Sequence, residues 1–330
     1  MMGDNGSKQW LDELRSRGAL SDNAAWGREA LYEGRFGTVV ERFRDDAGSY
    51  VLKPIGDPAT VGRELWVQQT IVPALGGIRV PGIVAAGQGE ADGGNWLVYE
   101  DLGRLRHCRT ADELIEAAGW IADWQLLPAE WVPASFAGHT PAYQQVLEQL
   151  SERSPMEIAD WLERDADSVA AWHRHICDHA RARIGDELVI AHGDYYPGNI
   201  AIRDGERVVL DWEYIHLNHP YWDLYSLLDI TSYRYAKIPL AQEERIAAIG
   251  SYWERMELCV TMREDRMKPE GSFEESCSGY WMFASLYSAW IAGLIAGDLQ
   301  RGQLPREALL RQRQETIQVF ADCLGGLRLA

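Results

Sequence analysis

The sequence predicts an α+β protein with two lobes, a small N-terminal antiparallel β lobe that carries a helix and a larger, mostly helical C-terminal lobe. Short runs rich in Val, Tyr and Phe, separated by glycines and turns, occupy the N-terminal third. Apolar residues at helical spacing dominate from about Thr110 onward, apart from strand-like runs around Asn199. The chain has 330 residues, and a single core usually stops growing at ~250–300 residues, so two lobes are expected.

The N-terminal lobe is predicted to span residues 1–102. It opens with a short amphipathic helix in "SKQWLDELRSRG" and continues with the strands "EALYEG", "GTVVERF" and "SYVLKPI", which suit an antiparallel meander. The helix of the lobe is predicted in "PATVGRELWVQQTIVPAL" and stops at Pro73. Two further strands, "PGIVAAGQ" and "NWLVYEDLG", lead to a connector near residues 100–103.

The C-terminal lobe is predicted to span residues 103–330. It begins with "TADELIEAAGWIADWQLL", in which Thr110 and Glu113 form a capping box ahead of apolar residues at helical period. Further helices are predicted in "PAYQQVLEQL", "PMEIADWLERD" and "SVAAWHRHICDHARARI", and over most of residues 221–330. Between them, "LVIAHGD" and a hairpin about Asp204-Gly205 supply strands.

The composition argues against partners that require a basic face. The net charge is −18 and the pI is about 4.9, whereas nucleic acids and anionic membranes are bound through basic surfaces. We therefore expect neither a nucleic-acid partner nor a membrane partner. The acidic balance would also attract a cationic substrate.

Cysteine usage and the N-terminal residues predict a cytoplasmic protein. The five cysteines are scattered and form no Cys-x-x-Cys pair, which is typical of reduced thiols. The start "MMGDNGSKQW" lacks the basic-then-apolar pattern of a signal peptide. The apolar stretch "YWMFASLYSAWIAGLIAG" contains small residues at helical spacing and is interpreted as a buried helix, with membrane insertion as the alternative.

Oxygen-bearing side chains gather at strand ends in "IAHGDYYPGNIAIRDGERVVLDWEY". Asp194 and Asn199 flank a Pro-Gly turn, and Asp211 ends the hairpin that follows. Such side chains can hold Mg²⁺, which is satisfied by one or two protein oxygens together with phosphate oxygens. A further carboxylate is left to take the proton of an attacking hydroxyl. Phosphoryl transfer needs these parts, since it depends mainly on positioning and on charge neutralisation.

"HGDYYPGN" followed by "VLDWE" resembles the aminoglycoside phosphotransferase and choline kinase superfamily, whose fold is that of the protein kinases. The resemblance implies a bilobal protein-kinase-like fold. It also implies that Asp194 is the catalytic base, that Asn199 and Asp211 ligate Mg²⁺, and that His192 braces the loop structurally. For Glu213 it implies a place in the metal shell or in substrate binding.

The resemblance implies a nucleotide site in the N-terminal lobe. Lys53 in "SYVLKPI" would grip the α- and β-phosphates, and Glu64 on the following helix would orient it. The backbone from Glu100 to Leu102 would bind adenine, which makes ATP the expected cofactor and leaves GTP open. Gly34 and Gly37 stand where the family has a nucleotide-covering loop, although a plain hairpin turn explains them nearly as well.

The segment "HPYWDLYSLLD" matches another part of the family pattern, in which an Asp bonds back to the catalytic loop. Asp223 fits that structural role. The family usually has Gly and Asp before the proline, whereas this chain has Asn218 and His219, so the match is imperfect.

The acceptor is predicted to be the hydroxyl group of a small molecule, because the chain lacks the long activation segment and the Ala-Pro-Glu signature of protein kinases. Candidate acceptor contacts are Glu213, Trp222 and Asp229. Acidic side chains would suit a polycationic aminoglycoside, and aromatic side chains would suit a quaternary amine such as choline. We lean to a cationic, aminoglycoside-like acceptor. A choline, amino-alcohol or sugar kinase and a catalytically silent binding module remain alternatives, and the sequence does not indicate the oligomeric state.

Overall fold

The computed structural model describes residues 9–21, 27–34, 37–87, 95–261 and 272–329. The chain forms two compact units. The first comprises Met1–Arg106 and Ala201–Glu213, and the second comprises His107–Ile200 and Tyr214–Ala330. The α+β class with an antiparallel sheet in the N-terminal part and helices in the C-terminal part is confirmed.

A five-stranded antiparallel sheet dominates the first unit. The elements up to residue 100 are α1 (Gln9–Arg17), β1 (Glu29–Glu33), β2 (Val39–Asp45), β3 (Gly48–Ile55), α2 (Arg63–Thr70), β4 (Ile78–Arg79), β5 (Ile83–Gly87) and β6 (Asn95–Glu100). The sheet has the order β1-β2-β3-β6-β5, and Lys53 on β3 lies opposite Leu97 on β6. Trp10 of α1 packs with Phe43 and Trp96 in a core on this sheet, which buries the apolar face of the helix.

A hairpin from later in the chain also belongs to the first unit. Within a four-stranded sheet of order β4-β10-β9-β7, the strands are β7 (Arg106–His107), β9 (Ile200–Arg203) and β10 (Glu206–Val209). β10 pairs in parallel with β4, and Leu102 packs against Ala201 and Val208. The predicted single boundary after residue 102 therefore differs from the compact units, because these contacts join residues 201–213 to the first unit.

Helices form most of the second unit. They are α3 (Ala111–Trp120), α4 (Ala122–Gln125), α5 (Tyr143–Ser151), α6 (Pro155–Leu162), α7 (Ala166–Ile184), α8 (Tyr221–Leu228), α9 (Gln242–Thr261), α10 (Phe273–Arg301) and α11 (Arg306–Gly326). The predicted capping box of Thr110 and Glu113 is present at the start of α3. Two short antiparallel strands, β8 (Val189–Ala191) and β11 (His216–Asn218), complete the unit.

The apolar helix α10 lies in the middle of the helical unit and packs against α5, α6, α7 and α11. By length and composition it is the one helix in the described part of the chain that could cross a membrane, and 56% of its most apolar window is buried inside the protein. The core helix of a globular unit passes the same test, so its hydropathy is explained by the side chains that it buries.

Candidate active site

One lysine in the first unit is surrounded by three carboxylates. The Nζ atom of Lys53 lies 2.9 Å from Glu64, 2.5 Å from Asp211 and 3.0 Å from Glu213. The Lys53 side chain is only 14% exposed. Burial by itself would lower the pKa of Lys53, but Asp211 and Glu64 outweigh burial and hold this pKa well above its usual value. The predicted contact between Lys53 and Glu64 is thus present, although the residues are eleven positions apart in the sequence.

The same three carboxylates can hold a divalent cation. Oxygen atoms of Glu64, Asp211 and Glu213 all lie within 4.8 Å of one another. Burial, together with the nearby charge of Asp211, raises the pKa of Glu213 to about 7. Three acids facing one ammonium group leave an excess of negative charge, and carboxylate oxygens are the ligands that Mg²⁺ prefers. The residues present therefore fit the predicted metal.

The backbone at Asp211 explains how this carboxylate reaches the cluster. Asp211 follows β10 and has a φ angle of 61°, in the left-handed region that few non-glycine residues adopt. The chain then enters a single short helical turn at Trp212–Tyr214, and Trp212 is anchored by its Nε1 donating to the carbonyl of Val209. An unusual backbone conformation of this kind is often found at functional sites.

A tight loop in the second unit brings Asp194 and Asn199 together. The amide nitrogen of Asn199 donates to the backbone oxygen of Asp194 at 2.9 Å and to its carboxylate at 3.2 Å. The turn closes because the N–H of Asn199 donates to the carbonyl of Tyr196, and the N–H of Tyr196 donates to the carbonyl of Asp194. The predicted base and one predicted metal ligand are therefore held side by side.

Asp223 holds the backbone at the start of this loop. Its carboxylate accepts hydrogen bonds from the backbone N–H groups of His192 and Gly193 and from the indole of Trp124, at 2.9, 3.2 and 2.9 Å respectively. Burial raises the pKa of Asp223 to about 6, and these hydrogen bonds act in the opposite direction. The ring of His192 accepts a hydrogen bond from the N–H of Asp194. Both predicted structural residues therefore contact the loop that carries the predicted base.

Gly193 can be replaced by no larger residue without moving the backbone. Its φ angle is 88°, and a Cβ atom added here would lie 2.2 Å from the carbonyl oxygen of Tyr214. The glycine of the His-Gly-Asp motif is thus required by close packing as well as by its backbone conformation.

His219, which stands where the family usually has Asp, is held by two hydrogen bonds to the backbone. Its Nε2 lies 3.1 Å from the carbonyl of Ile184, and its Nδ1 lies 3.2 Å from the N–H of Tyr221. Because the carbonyl can only accept and the N–H can only donate, the ring is neutral with the proton on Nε2. Burial lowers the pKa of His219 to about 4. The imidazole therefore supplies the acceptor for the first backbone N–H of α8.

Two of the predicted acceptor contacts require correction. Trp222 is 2% exposed, and its indole donates to the carbonyl of Gly193. Asp229 is 1% exposed, and its two oxygens accept hydrogen bonds from Arg245 at 2.9 Å and from Tyr280 at 2.6 Å. Because both side chains are enclosed and already bonded, they stabilise the helical unit and are not available to an acceptor. Glu213 lies against Lys53, which favours the metal-shell alternative over acceptor binding.

In the connector predicted to bind adenine, some backbone groups already form hydrogen bonds within the first unit. The N–H of Glu100 donates to the carbonyl of Gly82, and the N–H of Asp101 donates to that of Ser49. The Glu100 carboxylate pairs with Arg79, and Leu102 is buried. Purine binding by this backbone stays a prediction, and it would have to use atoms other than the N–H of Glu100.

The predicted nucleotide-covering loop is described only at its ends. The N–H of Gly37 donates to the carbonyl of Gly34, and the N–H of Gly34 donates to that of Thr38. These bonds are those of a hairpin turn. Residues 35–36 lie outside the described residues.

Sequence reasoning did not identify a cavity of about 310 Å³ in the second unit. Its wall includes the turn at Tyr196, Pro197 and Gly198, which links Asp194 to Asn199. The rest of the lining comes from the residues before α3, from α8 and from the segment after α8. No local sequence pattern marks this cavity, because its lining residues are distant in the chain.

Comparisons with known proteins agree with the predicted fold and family. A search of the curated proteins found no match. Among solved structures, the chain is similar to a GDP complex of aminoglycoside 2'-phosphotransferase-IIIa, with 12% identity, a TM-score of 0.62, and coverage of 91% of this chain and 94% of the other. It is also similar to a microcompartment-associated aminopropanol kinase, with 14% identity, a TM-score of 0.61 and coverage of 97% and 99%. For an ethanolamine kinase of Plasmodium vivax, the identity is 12%, the TM-score 0.56, and the coverage 99% and 96%.

Identities this low show a shared fold and nothing more specific, and that fold is the predicted kinase-like one. Family membership rests on the sequence. The model of the phosphotransferase enzyme family matches residues 37–259, a span that contains Lys53, Asp194, Asn199 and Asp211. Since the match covers more than half of the chain, this protein belongs to the phosphotransferase enzyme family.

Proposed function

We propose that this phosphotransferase moves the γ-phosphate of ATP, bound with Mg²⁺, to a hydroxyl group of a small molecule. The observation that carries the proposal is the pairing of Asp194 with Asn199 on a loop whose backbone is held by Asp223. A fixed carboxylate next to a fixed amide suits a reaction in which positioning supplies most of the rate.

In this proposal Asp194 accepts the proton of the acceptor hydroxyl as the oxygen attacks phosphorus. Asn199 donates to the carboxylate of Asp194 through its amide nitrogen, so its amide oxygen is the atom left to ligate a cation. The neighbouring carbonyl and N–H groups of the turn keep both side chains in place. General-base catalysis by one positioned group contributes about 10²–10⁴-fold to a rate.

Lys53 and the acids around it form the proposed nucleotide-binding group. Asp211 would ligate the metal, with Glu213 beside it, and Glu64 would keep Lys53 oriented toward the phosphates. When bound, Mg²⁺ supplies charge neutralisation at the phosphate oxygens. The backbone of Glu100 to Leu102 is proposed to contact the purine. The similar aminoglycoside phosphotransferase was solved with GDP, so GTP is kept as an alternative donor.

For the acceptor we propose only a broad class, the amino alcohols and sugars. The similar structures are named for an aminoglycoside, aminopropanol and ethanolamine, all of which are amino alcohols or sugars. A cationic acceptor fits the net charge of −18. Trp222 and Asp229, however, are enclosed in the helical unit and give that choice no support. We also propose a cytoplasmic protein without nucleic-acid or membrane partners, on the grounds of its charge and cysteine content.

The test combines nucleotide binding with turnover. Calorimetry should show that the protein binds Mg·ATP. A coupled ADP-release assay over aminoglycosides, choline, ethanolamine, aminopropanol and neutral sugars should then find acceptor-dependent ADP production. Nucleotide binding without acceptor-dependent turnover, for this set and for a wider set of alcohols, would support the alternative of a silent binding module.

A further inference from the structure

The cavity of about 310 Å³ in the second unit borders the turn that carries the proposed base. Tyr196, Pro197 and Gly198 line it, and these residues connect Asp194 to Asn199 through backbone hydrogen bonds. The volume is at the lower end of the range of about 300–1,000 Å³ that is usual for small-molecule sites. A molecule in this cavity would therefore lie against the proposed catalytic loop.

Most of the cavity wall is apolar or aromatic. Leu227, Ile230 and Ile238 contribute aliphatic side chains. Tyr196 and Tyr235 also line it, and their rings are stacked, with centroids 4.7 Å apart and an angle of 14° between the ring planes. Aromatic side chains in a cavity wall favour an apolar or ring-shaped group.

One buried polar group in the cavity wall has no partner. Ser226 is 2% exposed, and in the part of the chain that the structure describes its Oγ atom makes no hydrogen bond. A helical serine normally bonds back to a carbonyl of the preceding turn. A buried hydroxyl without a partner is costly, but this Oγ atom is enclosed by the protein and is not exposed to a ligand in the cavity.

The charged groups of the cavity are basic. Arg109 and Lys237 both line it, and its lining within the described residues includes no Asp or Glu. The Nζ of Lys237 lies 3.6 Å from Asp229 and donates to the carbonyl of Ile238, so its charge is partly compensated. Arg109 is exposed at the cavity, and its charge is left to act on a ligand. This local charge is opposite to that of the whole chain.

We propose that this cavity holds the non-reacting part of the phosphoryl acceptor, and that this part is a ring-sized apolar group with an attached carboxylate. Arg109 contacts the carboxylate, and the two tyrosines together with the aliphatic lining contact the ring. The proposal rests on the proposed function and gives it a substrate class. It disfavours polycationic acceptors, because they would bring like charges toward Arg109 and Lys237.

Three probes of one skeleton test the charge preference directly. Mandelate, 1-phenyl-1,2-ethanediol and 2-amino-1-phenylethanol share a phenyl ring and a benzylic hydroxyl, and they carry an anionic, a neutral and a cationic group. Calorimetric titration of the full chain with each probe should give the tightest binding for mandelate, by about tenfold over the cationic probe, as one charge-assisted contact predicts. Equal or tighter binding of the cationic probe, or no binding of any probe at millimolar concentrations, would overturn the proposal.

Two arginine variants test whether mandelate binds beside Arg109. Arg109→Gln should weaken mandelate binding by about tenfold and leave the diol within twofold, as expected when one charge-assisted hydrogen bond is lost. Arg174→Gln, which removes an exposed arginine that does not line the cavity, is the matched control and should change neither affinity. An unchanged affinity of Arg109→Gln for mandelate would refute the assignment.

Filling the cavity gives an independent check. Ser226→Leu should abolish binding of all three probes. Because Ser226 is buried, Ile238→Trp at a partly exposed lining position serves as a second filling variant if the first fails to fold. Retained mandelate binding in a folded filled variant would place the probe elsewhere and refute the proposal.

These measurements separate the proposal from the proposed function. Binding of Mg·ATP and acceptor-dependent ADP release test the phosphotransferase reaction without reference to mandelate. If nucleotide turnover is found and the cationic probe is preferred, only the proposal on the cavity fails. If no nucleotide binds while the anionic probe is preferred, the proposed function fails and the cavity is a carboxylate site of another kind.

Discussion

Lys53 and Glu64 are joined by a hydrogen bond of 2.9 Å between β3 and the first turn of α2. The same ammonium group also contacts Asp211 and Glu213, so one cation offsets the mutual repulsion of three acids. A basic group in this position can neutralise the acids when no metal is bound and can contact phosphates when a nucleotide is bound. The arrangement makes the stability of this group depend on charge compensation.

Replacing Lys53 by Met should therefore destabilise the protein and stop turnover. The variant leaves three partly buried carboxylates uncompensated, and removing one partner of a buried charged group costs about 3–5 kcal/mol. Thermal unfolding should show a lower Tm, and added Mg²⁺ alone should raise the Tm of Lys53→Met more than that of the wild type. Lys53→Arg keeps the charge and is the control. An identical Mg²⁺ response in all three proteins would contradict a metal site among these acids.

Replacing Asp194 by Ala should remove turnover and spare nucleotide binding. The proposed base acts on the acceptor proton, so its loss should lower kcat by about 10²–10⁴-fold, while affinity for Mg·ATP stays nearly unchanged. The rate is measured by ADP release and the affinity by calorimetry. Asp178→Asn, an exposed acid on α7, is the matched control in the same unit. Wild-type turnover in Asp194→Ala would exclude the role of base.

Replacing Asp211 by Asn should weaken the binding of Mg·ATP, which Asp194→Ala should leave nearly unchanged. The amide keeps the size of the side chain and removes the charge that a divalent cation requires, so affinity for Mg·ATP should fall by at least about tenfold. Asp204→Asn in the nearby hairpin is the control, because this carboxylate is 90% exposed and pairs only loosely with Arg203. Unchanged calorimetric affinity in Asp211→Asn would remove Asp211 from the proposed metal site.

The linked motif around Asp194 made much of the site predictable from the sequence. His192, Asp194 and Asn199 belong to one short loop, so their contacts are local, whereas Asp223 lies 31 positions after His192 and was indicated by a second match to the family pattern. The pairing of Lys53 with Glu64 was also expected, from the resemblance to the kinase superfamily. The hairpin about Asp204-Gly205 was indicated by its turn residues, which have positive φ angles.

Burial of individual side chains was much less predictable. Trp222 and Asp229 were expected at the acceptor site, but partners from α9 and α10 enclose Asp229, and their positions depend on tertiary packing. The return of residues 201–213 to the first unit depends on the parallel pairing of β10 with β4, which joins strands more than a hundred residues apart. Contacts of that range leave no periodic signal in a single sequence.

The two hydrogen bonds of His219 require its ring to be neutral, so the stability of the protein should depend on pH. The pKa is about 4 in the folded chain and 6.5 ordinarily, so below pH 6.5 the unfolded chain binds a proton that the folded chain does not. This favours unfolding progressively until pH 4, where the folded ring is protonated as well. The shift corresponds to about 3 kcal/mol of stability that is present above pH 6.5 and lost as the pH falls toward 4.

Urea unfolding of the wild type and of His219→Asn between pH 4 and 7 measures this effect. Asn keeps a side-chain oxygen that can accept the N–H of Tyr221 and does not titrate, so its stability should change less over this range. Asp223, whose raised pKa acts in the opposite direction between about pH 4 and pH 6, is present in both proteins and cancels in the comparison. The difference in unfolding free energy between the two proteins should therefore shrink as the pH falls. A difference that is constant from pH 4 to 7 would show that His219 is not held neutral in the folded chain.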